Sequence, residues 1–90
     1  MKREILIIED HKTLNKLIAN ELTDNYKVSS AYNWKQAQEH LSANEPDVII
    51  SDLKLPDAWV CDHIEDLISV APTILLTAYA DVNDAVKAIK

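Results

Sequence analysis

The sequence predicts an α/β protein with a doubly wound parallel sheet, and three observations carry that expectation. Three short apolar runs, at residues 5–8, 48–50 and 74–76, lack the alternation of a half-exposed strand. Such runs fit strands buried on both faces, as in a parallel sheet. Segments with helical spacing of apolar residues lie between them. Each run also ends in polar groups: Glu9-Asp10, Ser51-Asp52 and Thr77. Ligands of open α/β sheets bind beyond the carboxyl ends of the strands, so these residues are the first place to look for chemistry.

Each element follows in order. Residues 5–8 form a central strand. From Lys12 to Asp24, Leu14, Leu17, Ile18 and Leu22 line one face of a helix, with Asn25 at its C′ position. Residues 27–31 are short and half apolar, which suits an edge strand. Asn33 caps the next helix with Gln36 at the capping-box spacing; Trp34, Ala37 and Leu41 form its inner face, and Pro46 ends the excursion. The chain has no glycine. Turns with positive φ therefore fall to Asn or Asp, and Asn25 and Asn44 stand where the two helices end. The run at 48–50 delivers Asp52 to the sheet rim, and Pro56 bars continuation into regular structure. A helix over residues 60–70 carries Val60, Ile64, Leu67 and Ile68 on one face and is closed by Pro72. Residues 73–77 form a third buried strand. Asp81 caps a last helix with Val82, Ala85, Val86 and Ile89 as its stripe. Four strands alternating with four helices imply right-handed βαβ units in a single domain over residues 1–90, without internal linker or repeat.

Composition narrows the function. The 90 residues carry a net charge of −6 and are 48% hydrophobic. Such a chain is globular, and its acidity argues against direct binding to nucleic acid or an anionic membrane. No apolar run approaches the roughly 18 residues of a membrane span. One cysteine, Cys61, cannot form an internal disulfide, which fits a reducing cytoplasm. His11, His40 and His63 show no ligand spacing and read as surface or packing residues, as do Trp34 and Trp59.

The strand ends carry the chemistry. Glu9, Asp10 and Asp52 converge on one rim of a doubly wound sheet, where neighbouring carboxylates repel unless a cation joins them. Carboxylates with a carbonyl and waters suit Mg2+ rather than zinc. A carboxylate beside Mg2+ can attack phosphorus to form an aspartyl phosphate, and a threonine hydroxyl on the next strand can hydrogen-bond a phosphoryl oxygen. The plainer readings are that Glu9-Asp10 caps the first helix and that Asp52 and Thr77 are ordinary strand-end residues.

Glu9-Asp10 after the first strand, Asp52-Leu-Lys-Leu-Pro56 after the third and Leu-Thr77-Ala78 after the fourth together resemble the receiver domain of two-component response regulators. The resemblance covers essentially the whole chain. It implies a flavodoxin-like receiver fold with strand order 2-1-3-4. It implies that Asp52 accepts a phosphoryl group from a sensor histidine kinase and that the domain assists its own phosphorylation and dephosphorylation without being an enzyme. It implies that Asp10 and Asp52 bind Mg2+ directly, Glu9 more often through water, and that the Lys54 main-chain carbonyl completes the protein ligands. Thr77 becomes the switch hydroxyl. The partner is then an output domain in a longer parent chain, DNA-binding in a transcription regulator, and residues 76–90 look most like NtrC-type regulators.

Two departures stand out. A receiver continues with a fifth strand and helix, and its phosphate-binding lysine follows that strand; this sequence stops at Lys90, and neither Lys12 nor Lys54 matches that role. The loop after Pro56, where receivers commonly carry Gly, has Ala58-Trp59-Val60. A second function class therefore stands beside the first: a receiver-like binding or dimerisation module that is not phosphorylated. A third, a Mg2+-dependent phosphatase, lacks the Asp-x-Asp pair at residues 52–54. With the fifth βα unit missing, the strand at 74–76 becomes an apolar edge, and the expectation is a homodimer through that edge or a destabilised monomer. Sedimentation at low micromolar concentration checks this: self-association is expected, and a compact, stable monomer contradicts it.

Overall fold

The structure is a computed structural model that describes residues 2–76; Thr77 and the expected last helix at 81–89 lie outside the described residues. The main sheet has four parallel strands: β1 (Arg3–Ile8), β2 (Tyr26–Ala31), β3 (Val48–Asp52) and β6 (Thr73–Leu76). Their order is β2-β1-β3-β6, the expected 2-1-3-4 arrangement with β6 as the fourth main strand.

Strand alternation sends side chains to two cores. On one face, Leu6, Ile8 and Ile49 pack with Trp34 and Ala37 of α2 (Trp34–Ala43) and Leu67 of α3 (Ile64–Val70). On the other, Ile5, Ile7 and Ile50 pack with Ile18, Ala19 and Leu22 of α1 (Lys12–Leu22). Helices on both faces are what turns unbroken apolar runs into stable strands, because each side chain finds an apolar partner whichever way it points. Full burial of each Leu or Ile is worth about 2–3 kcal/mol.

Several expectations need correction. Leu17 is 57% exposed; the α1 residues that reach the sheet are Asn15, Ile18, Ala19 and Leu22, and Leu17 falls to one side of them. Ile68 is likewise 57% exposed, because only Leu67 of the last two turns meets the sheet. The helix expected over 60–70 starts as a tighter 3-10 turn at Val60–His63 before α3 begins. Asn25 and Asn44 do not take left-handed conformations, since no described residue has positive φ. Asn44 is extended and closes α2 differently: its side-chain amide donates to the His40 carbonyl at 3.1 Å, beside its own backbone N–H at 3.0 Å. The α2 start is capped as expected, with Asn33 Oδ1 accepting from Gln36 N–H at 2.8 Å, although Gln36 reaches back to the Tyr32 N–H rather than to Asn33.

The segment after β3 is more ordered than Pro56 suggests. β4 (Lys54–Leu55) and β5 (Ala58–Trp59) form a small antiparallel hairpin, Lys54 opposite Trp59 and Leu55 opposite Ala58. Pro56 sits in the turn, where its missing N–H costs nothing. Leu55 and Val60 are buried in the α2/α3 core. Asp57, next to Pro56, crosses to another element: its carboxylate accepts from Trp34 N–H at 2.8 Å and Lys35 N–H at 3.0 Å. Those bonds, the Trp34 bond foremost, hold its carboxyl below the usual aspartate range of 3.8. The Trp34 ring stacks on His63 with centroids 4.5 Å apart.

The packing sets a direct contrast on α3. Leu67→Ala is expected to cost about 2–5 kcal/mol and Ile68→Ala no more than about 0.5 kcal/mol, read from urea unfolding midpoints.

Candidate functional site

β1 and β3 run side by side with Ile8 opposite Ser51, so the residues that follow, Glu9-Asp10 and Asp52, leave the sheet at the same rim. Glu9, Asp10 and Asp52 each place a carboxylate oxygen within 4.8 Å of the others. The expected convergence of these three acids is therefore present. Glu9 is buried at 2% exposure, Asp52 is half-buried and Asp10 is exposed. The arrangement pushes the Glu9 carboxyl up to about 7, first through burial, then through hydrogen bonding with Asp52 and Asp10 and the charge of Asp52, against the opposing His11 N–H. A buried acid that resists ionisation beside two other acids is a site lacking positive charge, and a hard divalent cation answers that need better than zinc would. The donor set fits Mg2+.

Backbone contacts aim these groups. The Glu9 N–H donates to the Ala31 carbonyl of β2 at 3.0 Å, and the Glu9 carbonyl accepts from the Asn15 side-chain amide at 3.1 Å. Asn15 is 1% exposed and its Oδ1 accepts from the Ser30 hydroxyl. Asn15 thus ties α1 to the end of β1, where the acids leave the sheet. A polar residue within the apolar stripe of α1 is the signal that could have identified it. At β3, the Leu53 N–H donates to Asp52 Oδ1 at 2.8 Å, which orients the carboxylate. The Ser51 hydroxyl donates to the Asp52 carbonyl at 2.9 Å.

The other candidates are placed as follows. Lys54 opens β4 two residues beyond Asp52 with an exposed side chain. Thr77 lies outside the described residues. Helix capping does not account for Glu9-Asp10: the α1 cap is His11, whose Nδ1 accepts from Leu14 N–H at 3.3 Å, and the first turn holds no acid. Lys12 lies with its ammonium 5.6 Å from the centre of the Tyr32 ring, a cation–π contact. No described helix is long and apolar enough to cross a membrane.

Comparison with known proteins agrees with this geometry. The response regulator receiver domain family matches residues 5–90. This chain belongs to that family. Among curated relatives of the receiver, histidine kinase P4 of Formosa agariphila is 38% identical over 82 residues, 86% of this chain but 6% of that protein. The response regulator ArlR of Staphylococcus haemolyticus is 36% identical over 86 residues, 91% of this chain and 39% of that protein. The receiver thus spans two-fifths or less of the length of these relatives. Among solved structures, the chemotaxis response regulator CheY4 of Vibrio cholerae superposes with a TM-score of 0.84 at 19% identity, covering 97% of this chain and 78% of that one. A Burkholderia pseudomallei response regulator with a phosphorylated aspartic acid, calcium ion and citrate does so with a TM-score of 0.87 at 27% identity, covering 97% and 54%. The receiver fold and its place among phosphoacceptor signalling domains follow.

The Glu9 environment makes a measurable prediction for the metal-free receiver. A carboxyl carbon titration by NMR should place Glu9 near 7. Asp52→Asn should lower that midpoint by removing a charge, without returning it to 4.5, because burial is the larger cause. A wild-type midpoint near 4.5 contradicts the geometry.

Proposed function

We propose that this receiver accepts a phosphoryl group on Asp52 from the phosphohistidine of a sensor histidine kinase and passes the resulting change to an output partner. The observation that carries the reading is the meeting of the Glu9, Asp10 and Asp52 carboxylates at one rim. Glu9, Asp10, Asp52 and the Lys54 main-chain carbonyl are the groups we assign to Mg2+. When bound, Mg2+ offsets the charge between the attacking carboxylate and the phosphoryl oxygens.

The protein's own part is orientation. The Leu53 N–H engages Asp52 Oδ1, which presents the other carboxylate oxygen to phosphorus. As the new P–O bond forms, the P–N bond to the imidazole breaks and the imidazole leaves. Water later attacks the acyl phosphate, releasing inorganic phosphate and restoring the carboxylate. Thr77, one residue after β6, is the hydroxyl we assign to follow the phosphoryl oxygen. Phosphorylation biases a two-state equilibrium that the output partner reads.

A receiver structure with phosphorylated aspartic acid and calcium at 27% identity supports the chemistry. Relatives named as a response regulator and as a transcriptional regulatory protein support a role in transcription regulation through an output domain.

Incubation with acetyl phosphate and Mg2+ tests the assignment. Wild type should gain one phosphoryl group by intact mass, and Asp52→Asn none. Beryllofluoride with Mg2+ should change tryptophan fluorescence in wild type and not in the variant. Labelling of Asp52→Asn at the wild-type level, or no response from either protein, would refute the assignment.

A further inference from the structure

We propose that Asp57 is a positioning residue for the Mg2+ site: by gripping the start of α2 it holds the loop that follows Asp52 in its binding conformation. The inference rests on the reading above, in which Lys54 lends its main-chain carbonyl beside Glu9, Asp10 and Asp52.

Asp57 is exposed and its partners are distant in sequence. Its two carboxylate oxygens accept from Trp34 N–H at 2.8 Å and Lys35 N–H at 3.0 Å, 23 and 22 residues away. The first N–H groups of a helix have no intrahelical acceptor, and a negative charge is favoured there. Yet α2 already has its own cap, Asn33, which accepts from Gln36 N–H. The two bonds from Asp57 therefore do more than start a helix. They join α2 to the turn of the β4–β5 hairpin.

That hairpin needs an anchor. Its strands are two residues each, and a two-stranded ribbon alone is marginal in water. Pro56 and Asp57 are both exposed. α2, in contrast, is firm ground: Trp34 and Ala37 are buried in the core and the Trp34 ring stacks on His63.

The route from Asp57 to the acids is short and continuous. Leu55 opposite Ala58 and Lys54 opposite Trp59 carry the turn back to the start of the hairpin. The Leu53 carbonyl accepts from Val60 N–H at 2.8 Å. The Leu53 N–H binds Asp52 Oδ1. The segment from Asp52 to Val60 is thus held at the rim, at the hairpin base and at the hairpin tip, and Asp57 is the hold at the tip. In a loop without glycine, this clamp replaces a flexible turn with a preset one.

Titration with Mg2+ alone, followed by tryptophan fluorescence and calorimetry, tests the role without any phosphoryl transfer. Asp57→Ala should weaken Mg2+ binding measurably, by up to roughly the tenfold that loss of a direct partner of a metal ligand costs. Asp57→Asn, which keeps one acceptor oxygen, should weaken it less; it also serves if the alanine variant fails to fold. Asn33→Ala removes a cap from the same helix without touching the hairpin, so it should lower the melting temperature and leave Mg2+ affinity unchanged. Wild-type affinity in a folded Asp57→Ala or Asp57→Asn protein overturns the inference. Equal weakening by Asn33→Ala overturns it too, since the effect would then be general loss of helix stability. Failure of wild type to bind Mg2+ would instead strike the reading on which the inference rests.

Discussion

Three carboxylates crowd within 4.8 Å at the exit of two neighbouring parallel strands, and their mutual repulsion is the constraint to which the rest of the molecule answers. Folding alone does not relieve it. Burial makes it worse for Glu9, whose carboxyl is driven up to about 7. A protein that keeps such a cluster needs a rigid frame to hold it and positive charge to complete it. The doubly wound sheet provides the frame. β1 and β3 are paired residue by residue up to Ile8 and Ser51, so the acids that follow cannot drift apart without breaking a fully buried strand pair.

Around that frame, neutral hydrogen bonds do the aiming. Asn15 reaches from α1 to the Glu9 carbonyl, Ser30 braces Asn15, and the Leu53 N–H turns the Asp52 carboxylate. None of these contacts brings a charge into the cluster. They fix the direction of the acids while leaving the electrostatic deficit in place.

The absence of glycine shapes the periphery. The end of α2, where a left-handed glycine often stands, uses the Asn44 side-chain amide instead, and Asn33 with Asp57 satisfies the N–H groups at its start. The loop after Asp52 follows the same rule. It becomes a short hairpin pinned to α2, and the stiffness that glycine would remove is retained. Acid-range pH bears on that pin, because a carboxyl held below 3.8 by two N–H donors gives its support above that value and loses it as pH falls through its lowered midpoint.

Much of this was legible along the chain. Unbroken apolar runs dictate central parallel strands because a side chain pointing either way must meet apolar surface. A polar residue at the end of such a run must emerge at the rim. Those two facts place Glu9, Asp10 and Asp52 together from the sequence, and the Asn33 cap follows from local spacing. What the chain could not show by itself were contacts whose partners are far apart in sequence or whose geometry depends on a neighbour's shape. Leu17 and Ile68 have the right residue type and near-right spacing, yet only the docking angle of each helix decides that they face outward. The grip of Asp57 on residues 22 and 23 positions away, and the brace of Asn15 on Glu9, exist only once separate elements have packed, because hydrogen bonds between them carry no periodic trace in the sequence.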